Sequence, residues 1–558
     1  PDLIVHCWNE SLISSTGQTA TTEPTELLGY SSMVYLSQAI GELAETHAVE
    51  ILAITNQALD VIGVETLNPA AAAIQGPGKV IPFEFPHVIC RSVDILVSGV
   101  SDPSIEPVAD NLRAEARSTS TDRMVAYRTG LRWIAGVDPV AVDPEKLAPP
   151  LIRPEGAYLI TGGLGEVEFE LAKHLADLGA RQLVVVGLPS LPAGASWSDF
   201  NHAPIEDSFQ SIVGRLGELA DRGLDILADS SEAADFEAMK EVLERATRRF
   251  TRINGLVHTA FATEGGMIQL KSPEGSARVM APKISGTNVL GELLKDQPID
   301  FFILFSSTLA LTGVFGQCDY CAANAYVDAF AGDRRARTGA NVVAIDWDVS
   351  SWEHWQEDAM TSAPELLAQI REVRERYGIT TSEAMRCMDI ALALESPQVI
   401  VSARDLMEVL AAQQAAQDGG LLNQIASIGR QAPGRGRESL SSDYVPPTGE
   451  IEIEIAGIWQ DLFGIGQIGA NDDFFGLGGN SLVAIQAISR LRKEFDVDLP
   501  MSALFEHPTV ATLAAAILEA RSQGDDMLEM EQLLAEIEDL TPEQVRVALA
   551  EEQTESGK

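Results

Sequence analysis

Apolar residues in the first part of the chain fall into short strand-like runs separated by helical patterns. The runs are Asp2–Trp8, Val49–Ile54 and Val88–Ile95, with a helical pattern at Met33–His47 and an alanine-rich stretch between them. This alternation is typical of a parallel sheet covered by helices. Because no strand here leads into a glycine-rich turn, we predict a structural unit over residues 1–123.

A second alternating region, residues 124–413, has stronger strand signals. Six apolar runs are separated by helical segments: Ala157–Thr161, Gln182–Val186, Leu224–Ala228, Gly255–Thr259, Phe301–Phe305 and Val342–Asp346. Parallel strands joined by crossover helices form a doubly wound sheet, whose ligands bind in the crevice beyond the carboxyl ends of the strands. The sequence therefore predicts the α/β fold class, with a ligand crevice in this second region.

The chain changes character after residue 413. Residues 414–447 are rich in Gln, Gly, Ser, Arg and Pro, a composition typical of a linker. Residues 448–520 show helical patterns at Ile451–Phe463, Ser481–Phe495 and Thr509–Ala520, which predicts a small all-α helix bundle. In the acidic tail, residues 521–558, apolar residues recur at near-helical spacing, so we predict two short amphipathic helices there.

Composition narrows the classes of function. The 558 residues carry a formal net charge of -43, which argues against a nucleic-acid partner because phosphate binding needs a concentrated basic surface. No run of about 18 apolar residues and no secretory signal occur, so we expect no membrane span and a cytoplasmic location. Five scattered cysteines suit a reducing compartment. The pair Cys318 and Cys321 lacks further ligands for zinc, so we expect no metal.

The N-terminus begins directly in a strand-like run and has no starting Met. We therefore expect the chain to be a segment of a longer protein, with further domains upstream.

A glycine-rich turn follows the first strong strand of the second region. Thr161-Gly162-Gly163-Leu164-Gly165 comes directly after the apolar run that begins at Ala157, and it leads into a helical pattern. Strand, glycine-rich turn and helix in this order predict a dinucleotide site, with the pyrophosphate at the helix N-terminus. Two acids, Glu166 and Glu168, stand at the start of that helix.

Four polar residues farther along could carry chemistry. Tyr320 and Asn324 are four positions apart in a segment of good helix formers, so they share one helix face. Ser307 ends an apolar strand, and Lys283 lies upstream in Ala281-Pro282-Lys283. Taken singly, each has a common structural explanation: a buried tyrosine with a hydrogen-bonded hydroxyl, a capping serine or a surface lysine.

Together with the glycine-rich turn, these residues make the sequence similar to a known family. Residues 1 to about 410 resemble the ketoreductase domain of a bacterial type I modular polyketide synthase, a relative of the short-chain dehydrogenases. The resemblance rests on these segments, which follow the family's order: Gly76–Glu84, Tyr158–Gly165, Val257–Ala260, Ala281–Lys283, Phe305–Ser307, Gly316–Tyr326 and Ile345–Trp347. It implies two Rossmann-like doubly wound parallel-sheet subdomains, of which the first is truncated and structural.

The resemblance also assigns roles to the four polar residues. It implies that Tyr320 donates a proton to a β-carbonyl oxygen while hydride from NADPH reaches the carbon. Lys283 would favour the phenolate and hold the nicotinamide ribose, and Ser307 would hydrogen-bond the same carbonyl oxygen. Asn324 would order the proton relay. The implied NADPH contacts are Thr161, Gly162, Gly163, Leu164 and Gly165 at the phosphates and Asp229 at the adenine.

The all-α region resembles an acyl carrier protein. Asp472–Leu482 is similar to the attachment motif in which a serine, here Ser481, bears 4′-phosphopantetheine at the start of a helix. Taken alone, Ser481 could equally be an ordinary helix cap. The resemblance implies an acyl chain and a phosphopantetheinyl transferase as partners, with upstream ketosynthase and acyltransferase domains. The tail resembles docking helices that bind a downstream synthase subunit, with a plain solvated tail as the alternative.

The NADPH site departs from the family at several positions. Glu168 replaces a Gly, Glu166 a small residue, Gly187-Leu188 the Ser-Arg that holds the 2′-phosphate, and Phe261 a Gly near the nicotinamide. A carboxylate about 6 Å from a phosphate repels it by roughly 3 kcal/mol at an effective dielectric of about 20. First-turn acids that turn to solvent would instead suit the helix dipole. Two hypotheses therefore stay open: an active β-ketoacyl reductase, and a reductase-like scaffold with a silent NADPH site in which only the carrier domain functions.

Overall fold

The computed structural model describes most of the chain. The described residues are 2–8, 27–42, 47–85, 87–98, 102–118, 120–143, 147–148, 150–188, 207–262, 265–352, 364–415, 444–474, 476–477, 481–495, 497, 499, 503–518 and 521. They fall into two compact units: Pro1–Ala39 with Thr46–Asn423, and Ile40–Glu45 with Gln424–Lys558.

The first sheet of the larger unit contains five strands that follow one another in chain order. These are β1 Leu3–His6, β2 Val49–Asn56, β3 Val88–Ile95, β4 Met124–Arg128 and β5 Leu131–Ile134. β1 to β4 run parallel, and β5 returns antiparallel at the edge. Its helices are α1 Leu28–Glu42, α2 Pro69–Ala72, α3 Gln75–Glu84 and α4 Ile105–Glu115. Among the described strands of this sheet the order never reverses, so they form no switch point of the kind at which α/β sheets bind a ligand.

The structure also moves the boundary between the two subdomains. β4 and β5 pair with the first sheet, although both lie beyond the end at residue 123 that the sequence predicts. The first subdomain therefore extends at least to Ile134. Sequence patterning missed this because a short parallel strand looks the same whichever sheet it joins.

The second sheet is parallel throughout, with strand order β12-β11-β10-β9-β6-β7-β8. Its strands are β6 Ala157–Thr161, β7 Gln182–Val185, β8 Asp225–Ala228, β9 Ile253–His258, β10 Phe301–Ser307, β11 Val342–Trp347 and β12 Gln398–Val401. The order reverses between β6 and β9, and the ligand crevice of a doubly wound sheet lies at such a point. β12 is a seventh strand that the sequence did not predict, because its four residues are only half-buried and give a weak apolar pattern.

Helices cover this sheet and complete the larger unit. They are α5 Glu166–Asp177, α6 Asp207–Asp221, α7 Phe236–Phe250, α8 Pro273–Met280, α9 Ile284–Leu293, α10 Leu309–Thr312, α11 Cys318–Thr338, α12 Pro364–Tyr377, α13 Thr381–Ala393 and α14 Leu406–Ala415. The central strands β6, β9, β10 and β11 are buried along their whole length. Strands covered on both faces are continuously apolar, which explains the strong signals in the sequence.

The first subdomain is fixed to the second through α3 and α11. Gly76 allows close packing, because a Cβ atom there would lie 2.3 Å from the carbonyl oxygen of Cys318. Half-buried Lys79 donates from Nζ to the carbonyl oxygen of Ala310 at 2.6 Å. Buried Glu84 accepts the N–H groups of Ile268 at 2.6 Å and Gly316 at 3.1 Å, and burial raises its pKa to about 7.

The smaller unit is helical, as the sequence predicts. It contains α15 Glu450–Phe463, α16 Ser481–Phe495 and α17 Ala503–Glu506, and residues 510–518 are also helical. Trp459 and Phe463 both pack edge-on against Phe474, with ring centroids 5.0 Å apart. Most of the predicted linker, and the two helices predicted in the tail, lie outside the described residues.

Candidate active site

Tyr320 and Asn324 lie in the first two turns of α11, buried against the second sheet. The Asn324 Nδ2 atom donates to the carbonyl oxygen of Tyr320 at 2.8 Å, which fixes the amide on the tyrosine's side of the helix. Its other end, Oδ1, is buried and has no hydrogen-bond partner among the described residues. A buried amide oxygen without a protein partner is a natural position for an ordered water.

Lys283 and Ser307 reach the same place from other elements. Lys283 precedes α9, is buried, and its Nζ atom lies 5.9 Å from the ring centroid of Tyr320. The same atom donates to the carbonyl oxygen of Phe305, two residues before Ser307 at the end of β10. The Ser307 Oγ atom accepts the N–H of Leu309 at 3.2 Å. Lys283 therefore links the ring of Tyr320 to the end of β10 that carries Ser307. We call these four residues the proton-donating end, after the role that the family resemblance implies for Tyr320.

His258 joins this end to the glycine-rich turn, a role that sequence reasoning did not assign. Its Nδ1 atom lies 2.6 Å from the hydroxyl of Thr161, and its Nε2 atom lies 3.0 Å from the carbonyl oxygen of Pro282. A carbonyl oxygen only accepts, so Nε2 carries the proton and Nδ1 accepts from Thr161. Burial, with nearby Lys283, lowers the pKa of His258 to about 3, which keeps the ring neutral.

The glycine-rich turn adopts the backbone that its sequence predicts. Gly162 and Gly163 have φ values of 98° and 96°, and Gly187 opposite them has 83°. The N–H of Gly163 donates to the carbonyl oxygen of Val186 at 2.9 Å. Gly165 is the N-cap residue of α5 and, being a glycine, has no side chain that could bond to the helix start. The turn thus has the geometry of a phosphate-binding loop, and we call it with its surroundings the phosphate end.

The two acids at the start of α5 take opposite positions. Glu166 is exposed to solvent, as the favourable alternative requires. Glu168 is only 6% exposed. Its Oε1 atom lies 2.7 Å from the hydroxyl of Thr259, and a Cβ atom built on Gly165 would lie 2.7 Å from its Oε2 atom. Burial raises the pKa of Glu168, and hydrogen bonds from the Thr259 hydroxyl and from the N–H groups of Glu168 and Gly165 oppose that shift. The carboxyl group of Glu168 thus fills the space beside the turn.

Of the other residues at the expected NADPH site, Leu188 and Asp229 are buried and bonded within the protein. Leu188 is 1% exposed, and its N–H donates to the carbonyl oxygen of Asp229 at 3.2 Å. The Asp229 carboxylate is fully buried, pairs with Arg245, and accepts the Ser231 N–H at 2.8 Å. Phe261 is 42% exposed beyond the end of β9. With these side chains in place, the residues of the phosphate end do not fit the phosphates of NADPH.

A pair of acids, half-buried Asp328 and buried Asp346, lies next to the proton-donating end. Asp328 follows Asn324 by one turn of α11, and Asp346 lies in the neighbouring strand β11, where it accepts from Gln398 at 2.7 Å. Burial raises the pKa of Asp328 to about 6, and burial beside Asp328 raises the pKa of Asp346 well above its usual value. The spacing Tyr320, Asn324, Asp328 could have identified this face of the helix from the sequence.

Ser481 is the first residue of α16 in the smaller unit, as the sequence predicts. Three residues before it, 478–480, lie outside the described part of the chain. Cys318 and Cys321 are buried thiols of α11. Within the described ranges, no group of three or more His, Cys, Asp or Glu side chains is placed to hold a metal ion. No helix among those residues is long and apolar enough to cross a membrane.

Comparison with known proteins defines the class of both units. Residues 156–352 match the family described as KR domain, and residues 454–517 match the family described as phosphopantetheine attachment site. The chain is 26% identical over 452 residues to 5-methyl-1-naphthoate synthase of Streptomyces sahachiroi, covering 80% of this chain and 24% of the relative. It is 28% identical over 469 residues to a 6-methylsalicylic acid synthase of Arthrobotrys oligospora, covering 80% and 25%.

The solved structures agree on the fold. A ketoreductase domain from the bacillaene assembly line superposes with a TM-score of 0.55 at 22% identity, covering 72% of this chain and 92% of that one. The chain therefore contains a KR domain and a phosphopantetheine-attachment domain, and it is similar to polyketide synthase subunits. KR domains of this kind belong to the NADPH-dependent oxidoreductases. The chain spans about a quarter of the length of the curated relatives it matches.

Proposed function

We propose that this chain carries a β-ketoacyl intermediate on a phosphopantetheine arm at Ser481 and reduces its β-carbonyl group in the KR domain. The observation that supports this most directly is the proton-donating end, where buried Tyr320 has Asn324 one turn away and Lys283 beside its ring. An ammonium group beside a phenol stabilises the phenolate, so the phenol is suited to donating its proton.

The side chains of this end suggest a division of roles. Tyr320 would donate the proton to the β-carbonyl oxygen, and the Ser307 hydroxyl would hydrogen-bond the same oxygen as negative charge develops on it. The unpartnered Oδ1 atom of Asn324 would hold a water that returns a proton to Tyr320. NADPH, the cofactor of this class, would supply the hydride.

A second candidate function is favoured by the phosphate end. Glu168 fills the space beside the turn, Leu188 supplies no charge for a 2′-phosphate, and Asp229 is committed to Arg245. In this candidate the KR domain binds little NADPH and acts as a scaffold, and the carrier domain alone functions.

The proposed partners of the carrier domain are the same for both candidate functions. A phosphopantetheinyl transferase would modify Ser481, and ketosynthase and acyltransferase domains elsewhere in the synthase would supply the acyl chain. We further propose that the carrier domain spans residues 448–520 and follows a linker that begins at residue 414. The tail, residues 521–558, would dock onto a downstream subunit. The protein would work in the cytoplasm.

Two measurements test the proposal. Intact-mass spectrometry after treatment with a phosphopantetheinyl transferase should show one added prosthetic group, which Ser481→Ala abolishes. Consumption of NADPH with a β-ketoacyl thioester should then report reduction. Turnover that disappears in Tyr320→Phe supports the reductase, whereas a loaded carrier with no turnover at any NADPH concentration leaves only the scaffold function.

A further inference from the structure

The contact between Glu168 and Thr259 bridges the ligand crevice of the second sheet. Thr259 directly follows β9, and Glu168 lies in the first turn of the helix that follows β6. β6 and β9 are the two strands between which the strand order reverses. The 2.7 Å contact between the Thr259 hydroxyl and Glu168 Oε1 therefore spans the point where a doubly wound sheet binds its ligand.

Hydrogen-bond donors around Thr259 indicate the form of the Glu168 carboxyl group. The Thr259 hydroxyl has one proton, yet its oxygen is within hydrogen-bond distance of both the Thr161 carbonyl oxygen and Glu168 Oε1. The carbonyl oxygen and an ionised carboxylate can both only accept, so one hydroxyl proton does not fully satisfy both contacts. The contact with Glu168 is then satisfied when the carboxyl group is protonated and donates to Thr259. Burial shifts the pKa of Glu168 in the direction this requires.

The second carboxyl oxygen of Glu168 lies near Gly165, at the N-terminus of α5. A Cβ atom built on Gly165 would lie 2.7 Å from Glu168 Oε2, and the Glu168 carboxyl group is close enough to the N–H groups of Gly165 and Glu168 for them to lower its pKa. The N–H of Gly163 is already bonded to the carbonyl oxygen of Val186. A pyrophosphate at a helix N-terminus uses such N–H groups.

We propose that the Glu168 side chain is a built-in occupant of the phosphate position: it is held as a neutral carboxylic acid and excludes NADPH by filling the site rather than by charge repulsion. The proposal rests on the proposed reductase site, whose cofactor binding it restricts. Any reduction by this domain then requires Glu168 to leave the crevice first. The same side chain stabilises the turn when no nucleotide is bound.

Substitutions at two neighbouring glutamates test the proposal in the full chain. Glu168→Gly removes the occupant, and Glu168→Gln keeps its shape and its donor while removing any negative charge. Glu166→Gly is the matched control, because it makes the same change in the same helical turn at an exposed position. NADPH binding is measured by the fluorescence of the nicotinamide, and stability by thermal unfolding with and without NADPH.

We expect Glu168→Gly to bind NADPH at least tenfold more tightly than the wild type, Glu168→Gln and Glu166→Gly. Without NADPH, Glu168→Gly should unfold at a lower temperature than Glu166→Gly, and NADPH should raise its unfolding temperature because a ligand stabilises the state it binds. Glu168→Ala, which keeps helix propensity, replaces Glu168→Gly if that variant does not fold.

Three results would overturn the proposal. Binding to Glu168→Gln as tight as to Glu168→Gly would mean that charge, and not occupancy, excludes the nucleotide. Wild-type protein that binds NADPH as tightly as Glu168→Gly, or folded Glu168→Gly and Glu168→Ala that bind no better than wild type, would remove the role of Glu168 altogether. The reductase function fails separately: Glu168→Gly that binds NADPH but does not reduce a β-ketoacyl thioester refutes that function and leaves the occupancy of the site intact.

Discussion

The two ends of the crevice differ in what their side chains contact. At the proton-donating end, Tyr320, Asn324, Lys283 and Ser307 come together from α11, the start of α9 and the end of β10. At the phosphate end, Glu168, Leu188 and Asp229 turn inward and bond to the protein itself. One end brings together the residues that we propose to be catalytic, while the other is filled by its own residues.

This difference shows why an intact set of catalytic residues does not establish turnover. Lys283 also donates to the carbonyl oxygen of Phe305, and the Asn324 amide donates to that of Tyr320. Loss of such a donor removes a buried hydrogen bond, which contributes about 0.5–1.5 kcal/mol to stability. These residues therefore have a structural reason to persist that is independent of catalysis, whereas a nucleotide loop can close without unfolding the domain.

The largest expected effect tests the proton-donating end directly. Tyr320→Phe should lower the reduction of a β-ketoacyl thioester by about 10²–10⁴-fold in both the wild type and Glu168→Gly, because the proton donor is lost. The matched control is Tyr326→Phe on the same helix, whose hydroxyl donates to Asn288 at 3.0 Å. NADPH absorbance measures the rate. Equal rates in the two phenylalanine variants would show that Tyr320 is not the donor.

His258 bonds to residues at both ends of the crevice, so substituting it should destabilise the protein. His258→Ala should lower the free energy of unfolding by about 2–4 kcal/mol, since Thr161 and Pro282 lose their partners and a cavity remains. In the wild type, the folded pKa of about 3 lies below the ordinary 6.5, so stability is complete above about pH 6.5 and falls as the pH drops toward 3.

His258→Gln provides the control for that pH dependence. A neutral amide can replace both hydrogen bonds and does not titrate, so the decline of up to about 1.4 kcal/mol per pH unit should be reduced. Denaturant unfolding at several pH values measures it. An unchanged slope in His258→Gln would assign the acid sensitivity to other groups.

Substitution of Arg245 tests how much its ion pair with Asp229 stabilises the phosphate end. Arg245→Met removes the positive charge beside the buried Asp229 carboxylate, and we expect a loss of about 2 kcal/mol in stability. The double variant Asp229→Asn, Arg245→Met should recover part of it, as a thermal-unfolding cycle would show. Full additivity would mean that the pair is not coupled.

The pH dependence of stability that arises from the pair Asp328 and Asp346 should have the opposite sign from that of His258. The folded pKa of Asp328, about 6, lies above its ordinary 3.8, so the folded state binds the proton more tightly and stability falls as the pH rises from about 4 to 6. Asp328→Asn should therefore stabilise the protein by about 1 kcal/mol near neutral pH and have less effect near pH 4. Chemical unfolding at the two pH values measures this, and destabilisation at neutral pH would contradict it.

The smallest effect is expected at Glu166. Because this side chain is exposed, Glu166→Gln should change the free energy of unfolding by less than about 0.5 kcal/mol. A larger change, measured by denaturant unfolding, would mean that the first turn of α5 contributes more to the phosphate end than its exposure indicates.

The sequence by itself determined the elements whose signals are local. Buried parallel strands are continuously apolar, and the glycine-rich turn needs residues that tolerate positive φ, so both could be recognised one segment at a time. Ser481 at the start of a helix and the shared face of Tyr320 and Asn324 follow from spacing alone. The edge strand β12 and the sheet to which β4 belongs could not be predicted, because the sequence of a strand of four or five residues does not indicate which strand it pairs with.

Only the tertiary structure decided how the phosphate end is filled. Whether Glu168 faces solvent or the crevice depends on Thr259, 91 positions away in the chain, and the state of Asp229 depends on Arg245 on a different element. Periodicity places a side chain on a face of its own helix but not against a distant partner. The sequence could therefore place both acids at the turn, while the packing of β6 beside β9 determined that Glu166 is exposed and Glu168 is buried.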